Sequence, residues 1–143
     1  MNITIKRRLE WDAAHRVLRH ESKCATLHGH RYSALIECTS NALDACNRVV
    51  DFGVVRERVG EWIDENWDHT TLLNEKDTEL AAFCHAQAVT RLNREPYMFI
   101  GEPTAENIAR VLLAMSRRLL KDTGVDVVSV EVFETPNCSA IAK

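Results

Sequence analysis

His28-Gly-His-Arg-Tyr-Ser-Ala-Leu-Ile-Glu-Cys38 sets the architecture of this chain. Side chains in a strand repeat every second residue, so His28, His30, Tyr32, Ala34, Ile36 and Cys38 share one face. Upstream, Ile3, Ile5, Leu9 and Trp11 alternate with polar neighbours and predict a first strand. A loop of His, Arg and small residues is expected from Ala13 to about Leu27, and a turn region from Asn41 to Asn47. From Phe52 the period changes. Phe52, Val55, Val59, Trp62 and Ile63 recur at helical spacing, with Arg56, Glu57, Glu61 and Asp64 outside, and this helix should end by Asn66. Leu80–Leu92 reads as a short helix and Tyr97–Ile100 as a short strand. Pro103-Thr104 then opens another helix, with Thr104 as its N-cap, a stripe of Ile108, Val111, Leu112, Met115 and Leu119, and Gly124 as its stop. Val125–Glu134 is β-branched and alternating, a third main strand, and residues 138–143 make a short fourth. Strands in consecutive pairs around two helices predict an α+β fold, an antiparallel four-stranded sheet with two helices on one face. Its other face needs a partner, so assembly is expected.

The 143 residues suggest one domain spanning 1–143, since no low-complexity tract, repeat or Pro/Gly-rich linker divides them. With 45% hydrophobic and 27% charged residues the composition is that of a globular protein. Eighteen Lys and Arg against 21 Asp and Glu give a net charge of −3, a poor balance for coating nucleic acid. Apolar runs such as Val111–Met115 stop far short of the ~20 residues of a membrane span. The start, Met1-Asn-Ile-Thr-Ile-Lys-Arg-Arg, lacks a secretory apolar stretch, and a cytoplasmic location is expected. The five cysteines, Cys24, Cys38, Cys46, Cys84 and Cys138, form no CxxC pair. Reduced thiols are expected, which leaves reactivity, metal binding or burial as their roles, with burial for all but Cys24.

Three histidines crowd one turn. His28 and His30, two apart on a strand, point the same way, and an adjacent antiparallel strand can supply His15. Three neutral imidazoles with a fourth position open is the donor set of catalytic Zn²⁺, which polarises a substrate oxygen. Histidines satisfied at the surface or in the core are the plainer reading of each one singly. His-Glu-x-x-His is absent, which argues against a zinc peptidase. Cys24, four residues before His28 and beside Lys23, could act as a thiolate base or nucleophile. In Asp68-His69 the carboxylate can fix the imidazole tautomer and make it a proton shuttle. Glu134 is either an exposed strand end or, if buried, a fitting anchor for a guanidine-like edge.

Trp11-Asp-Ala-Ala-His15, Cys24-Ala-Thr-Leu-His28-Gly-His30, Val50-Asp51-Phe52, Asp68-His69 with Leu73-Asn74, Pro103-Thr104-Ala-Glu106-Asn107 and Phe133-Glu134-Thr135 resemble the 6-pyruvoyltetrahydropterin synthase family in order and type. The three residues between Cys24 and His28 are similar to the bacterial 6-carboxytetrahydropterin synthase branch of queuosine biosynthesis. The resemblance implies a tunnelling fold whose subunits, a hexamer by likeness, join their sheets into a barrel with active sites at subunit interfaces. It implies dihydroneopterin triphosphate as substrate, and 6-carboxytetrahydropterin, acetaldehyde and triphosphate as products. The pyruvoyl reaction, or pterin binding without turnover, is the alternative. By the same likeness His15, His28 and His30 are zinc ligands, Cys24 is the proton acceptor, and Asp68 and His69 are the relay. Glu134 matches the pterin-anchoring glutamate and shares in the relay. Thr104 and Glu106 fall in a second pterin-contacting motif. Lys23, Arg16, Arg19 and Arg31 are the cations near in sequence for the triphosphate. The stretch between Asn74 and Pro103 is longer than in compact bacterial members, so the pocket rim or subunit contacts are expected to differ there.

Overall fold

The computed structural model describes residues 3–91 and 94–143. Two long strands, β1 (Thr4–His15) and β2 (His28–Thr39), pair antiparallel from Thr4 opposite Thr39 to His15 opposite His28. Ala13 and Ala14, expected in a loop, continue β1 because they pair on both edges. On one edge they face His30 and Gly29, and on the other Thr70 and Thr71 of β3 (Thr70–Asn74). The strands approach closely here: a Cβ on Gly29 would stand 3.2 Å from the Ala13 carbonyl oxygen. With β4 (Tyr97–Phe99), β5 (Asp126–Thr135) and β6 (Cys138–Ala142), the sheet order is β4-β3-β1-β2-β5-β6.

The antiparallel quartet β1, β2, β5 and β6 matches expectation, but the sheet has six strands and is mixed. β3 joins β1, and β4 joins β3, in parallel. β3 reads Thr-Thr-Leu-Leu-Asn, buried at four of its five positions. A short strand covered on both faces has no alternation to betray it. Parallel neighbours need crossover connections, and helices supply them.

The described residues form three helices, the two expected on the sheet and the short one read at Leu80–Leu92. α1 covers 52–66 in consecutive pieces, Phe52–Val55, a π-helical turn at Arg56–Gly60, and Glu61–Asn66, and Asp51 caps it by accepting from the Gly53 amide at 2.7 Å. α2 (Thr78–Arg91) carries the chain from β3 to β4 and buries none of its described side chains; Phe83 and Val89 stand exposed. Leu92, the expected end of that helix, lies outside the described residues. α3 (Ala105–Leu119) is capped by Thr104, which accepts from the Asn107 amide. Its buried stripe is Ile108, Ala109, Leu112, Leu113 and Ser116, rotated from the expected one so that Val111, Met115 and Leu119 are only half-buried. Gly124, at φ 78°, turns the chain into β5 in the left-handed region. One apolar cluster joins the sheet to α1 and α3, with Trp11 stacked on Tyr32 at 5.4 Å and against Trp67 at 5.5 Å. Among the described residues no helix is long and apolar enough to cross a membrane.

Candidate functional site

Pairing of β1 with β2 sets His15 opposite His28, and the strand period returns His30 to the same face. One ligand atom from each of the three lies within 4.8 Å of the others. His15 Nδ1 donates to the Pro103 carbonyl at 2.9 Å, and His28 Nδ1 donates to the Thr26 carbonyl at 2.6 Å. A carbonyl only accepts, so both rings carry their proton on Nδ1. Their Nε2 atoms, 3.2 Å apart, therefore turn lone pairs toward each other. Burial, foremost, lowers the pKa of His15, which is 1% exposed. The Pro103 hydrogen bond and Glu134 act against that shift, while His28 and His30 add to it. Burial likewise lowers that of His30. Two lone pairs aimed at each other across the 3.2 Å between His15 and His28 repel unless a cation lies between them.

Zinc bonds to imidazole at about 2.0–2.1 Å, so a tetrahedral site sets its nitrogens roughly 3.3 Å apart. The His15–His28 separation fits. His30 Nε2 is buried with no hydrogen-bond partner, a donor atom free for the same ion. Glu134 stands beside the cluster, its Oε1 3.4 Å from His30 Nε2 and its Oε2 4.0 Å from His15 Nε2. Tyr32 closes the floor, its ring edge-on to His15 and His30, and burial and Glu134 push its pKa up, keeping the phenol neutral.

Cys24 lies in a single 3-10 turn, Lys23–Ala25. It borders two clefts. One, of about 260 Å³, includes His15, Thr104, Glu106, Glu134 and Cys138 in its wall. The other, of about 630 Å³, is walled by Lys23, His28, His30, Glu134 and Cys138 among others. The candidate residues His15, His28, His30, Cys24, Glu134, Thr104, Glu106 and Lys23 thus gather at one end of the sheet.

Asp68 and His69 do not join them. Asp68 Oδ2 accepts from His69 Nδ1 at 2.8 Å, and Asp68 Oδ1 accepts from the Asp12 amide at 2.9 Å. Burial, the largest single influence, pushes the Asp68 pKa up. The hydrogen bonds from the Asp12 amide and His69, with the nearby positive charges, together outweigh it and leave the carboxyl below its usual range. His69 is held at φ 55°, its amide donating to Asp12 O at 2.7 Å. Its cleft is walled by Asp12, Ala14, Gly29 and Arg31, with Ala13 and His30 also reaching it. Asp12, Ala14 and Arg31 alternate along β1 and β2 with the core-facing Trp11 and Tyr32. The dyad therefore lies on the sheet surface opposite the histidine cluster.

Two cations considered for phosphate are committed elsewhere. Arg16 forms a bidentate pair with Asp77, and Arg31 bonds Asp12 on the opposite surface. Cys38 is buried far along β2, where burial raises its pKa to about 11. The expectation of burial fails for Cys46 and Cys138, both exposed, and for Cys84, half-buried. Cys138 was missed as a cleft residue because β6 is too short to show which side of the hairpin it takes. The carbonyls of Pro103 and Thr26 were invisible because backbone acceptors leave no mark in residue type.

Fold and site together define an α+β protein with a three-histidine group, able to hold a metal ion, at the joined ends of its two longest strands. The chain belongs to the 6-pyruvoyl tetrahydropterin synthase family, whose model matches residues 4–143. It is 38% identical over 137 residues to the 6-carboxy-5,6,7,8-tetrahydropterin synthase of Rickettsia conorii, covering 95% of this chain and 96% of that one. It is also 28% identical to the protein of that name from Haemophilus influenzae, over 92% of each. A structure of an uncharacterized protein from Wolinella succinogenes superposes with a TM-score of 0.84 at 25% identity, covering 99% of this chain and 98% of that one. The 6-pyruvoyl tetrahydropterin synthase of Caenorhabditis elegans shares the fold, with a TM-score of 0.71 at 20% identity, covering 100% of this chain and 96% of that one.

Proposed function

We propose that the whole chain, 1–143, is one catalytic domain, a zinc-dependent 6-carboxytetrahydropterin synthase. It would convert 7,8-dihydroneopterin triphosphate to 6-carboxy-5,6,7,8-tetrahydropterin, acetaldehyde and triphosphate, a lyase reaction supplying 7-deazaguanine biosynthesis. The observation that carries the reading is the meeting of His15 Nε2 and His28 Nε2 at 3.2 Å, beside His30 Nε2, which makes no hydrogen bond. The names borne by relatives at 35–38% identity favour the carboxy product.

Zinc held by His15, His28 and His30 supplies Lewis acidity toward the hydroxyls of the pterin side chain. Cys24, at the edge of both clefts, accepts the carbon-bound proton as thiolate. Glu134, half-buried, hydrogen-bonds the guanidine-like edge of the ring, with Thr104 and Glu106 along the same wall. Lys23, exposed at the mouth, meets the triphosphate, which leaves by elimination. His69, its tautomer set by Asp68, exchanges a proton with a side-chain hydroxyl. Because His69 and Cys24 lie on opposite surfaces of the sheet, His69 serves the site of a neighbouring copy, in keeping with a hexamer whose sites lie at interfaces.

Incubating zinc-loaded protein with 7,8-dihydroneopterin triphosphate is expected to release acetaldehyde in step with triphosphate. Triphosphate without acetaldehyde would show the pyruvoyl reaction instead. Pterin binding with no turnover would reduce the protein to a binding module.

A further inference from the structure

Residues 16–27, the loop that carries Cys24, contain no buried side chain. Packing therefore does little to fix the thiol, and the loop depends on polar tethers. Within the loop, the Val17 amide donates to the Cys24 carbonyl at 2.9 Å. Next to it, the Leu18 amide donates to Glu102 Oε2 at 2.8 Å. The other oxygen of Glu102 accepts from Asn74 Nδ2 at 3.0 Å, and Asn74 is a buried residue of β3. Hydrogen bonds thus run from the sheet through Glu102 to Leu18, and its chain neighbour Val17 in turn holds the backbone of Cys24.

A second tether starts one residue earlier. Asp77 is 2% exposed, and its two oxygens accept from Arg16 Nη2 and Nε at 2.6 and 2.5 Å. The same side chain accepts from the Leu80 amide at 3.3 Å and so caps α2. A buried carboxylate met by a bidentate guanidinium is geometrically demanding, because both groups lose solvent and are repaid only in one arrangement. Both tethers come from the ends of the segment between β3 and α3.

We propose that Glu102 and Asp77 are positioning residues, which hold the 16–27 loop so that the Cys24 thiol faces the histidine cluster. This rests on the reading of Cys24 as proton acceptor, and it assigns the two ends of the segment between β3 and α3 a task at the site. Neither carboxylate lines either of the Cys24 clefts, so any effect on turnover acts through the loop.

The test uses the full-length, zinc-loaded protein and its Glu102→Ala, Glu102→Gln and Asp77→Asn variants. Three quantities are measured: the iodoacetamide alkylation rate of Cys24 resolved by peptide mass spectrometry against exposed Cys46, bound zinc, and kcat with KM. Losing the tether is expected to change the Cys24 rate several-fold, leave zinc and KM near the parent, and lower kcat by about tenfold to a hundredfold. Glu102→Gln, which keeps one acceptor for the Leu18 amide, recovers part of the loss. Should Glu102→Ala not fold, the two isosteric variants carry the test. Variants that melt lower yet keep parental Cys24 alkylation and kcat have lost only stability, and that result overturns the proposal. If the parent itself shows no turnover, the reaction reading fails while the alkylation rates still decide whether these carboxylates hold the loop.

Discussion

Metal should stabilise this fold by an amount its donor geometry makes measurable. His15 and His28 are already aimed by the Pro103 and Thr26 carbonyls, so a cation finds its ligands without rearranging the chain. Binding to the native state alone adds about 2.7 kcal/mol at a free zinc concentration of 100 times Kd. Unfolding entropy near 2.1 cal/mol/K per residue amounts, over 143 residues, to roughly 0.3 kcal/mol/K. The midpoint should therefore rise by about 9 °C between chelator and that zinc level, and continue upward with the logarithm of concentration. His28→Ala is the informative control. His28 is half-buried, whereas His15 is 1% exposed and its loss would also orphan the Pro103 carbonyl. Differential scanning calorimetry with zinc or chelator, alongside metal analysis, reads the effect. A parent midpoint indifferent to both reagents, or a His28→Ala protein that keeps the full zinc response, would refute the three-histidine site.

Hydrogen bonding to Arg16, foremost, holds the Asp77 carboxyl below its ordinary pKa of 3.8. A depressed carboxylate stabilises the folded state fully above that ordinary value and loses the contribution as pH falls through the folded one. The stability gap between the parent and Asp77→Asn should thus be constant at neutral pH and close below about pH 4 in urea titrations. Leu112→Ala, at a fully buried position of α3 in the main cluster, should cost about 2–5 kcal/mol by chemical denaturation while leaving bound zinc unchanged. Asp68→Asn removes the acceptor that sets the His69 tautomer but keeps an oxygen for the Asp12 amide. Turnover should fall by about a hundredfold or more with the melting midpoint little changed, as steady-state kinetics and a thermal scan would report.

Legibility in the sequence followed periodicity. β1, β2 and β5 announced themselves by alternation because each faces the core on one side only. α1 was readable from Phe52 to Asn66 for the analogous reason at helical period. β3 escaped because both its faces are covered, so Leu72 and Leu73 are buried side by side and no alternation survives. The extent of α2 was obscure since a helix with no buried stripe has little pattern to show. In α3 the right residues were found on a slightly wrong meridian, because Val111 and Met115 sit at the margin of the contact that Ile108 and Leu112 centre.

At the site the division is sharper. His28 and His30 share a face as a consequence of strand geometry, and their place in the chain alone determined that. The third ligand depended on register, since a one-residue slip between β1 and β2 would turn His15 to the other surface. Which nitrogen each ring offers was decided by the carbonyls of Thr26, nearby, and Pro103, 88 residues away. The separation of His69 from Cys24 likewise belongs to tertiary structure. Whether two reactive groups meet within one chain depends on which side of a sheet each loop descends, and residue order carries no such coordinate.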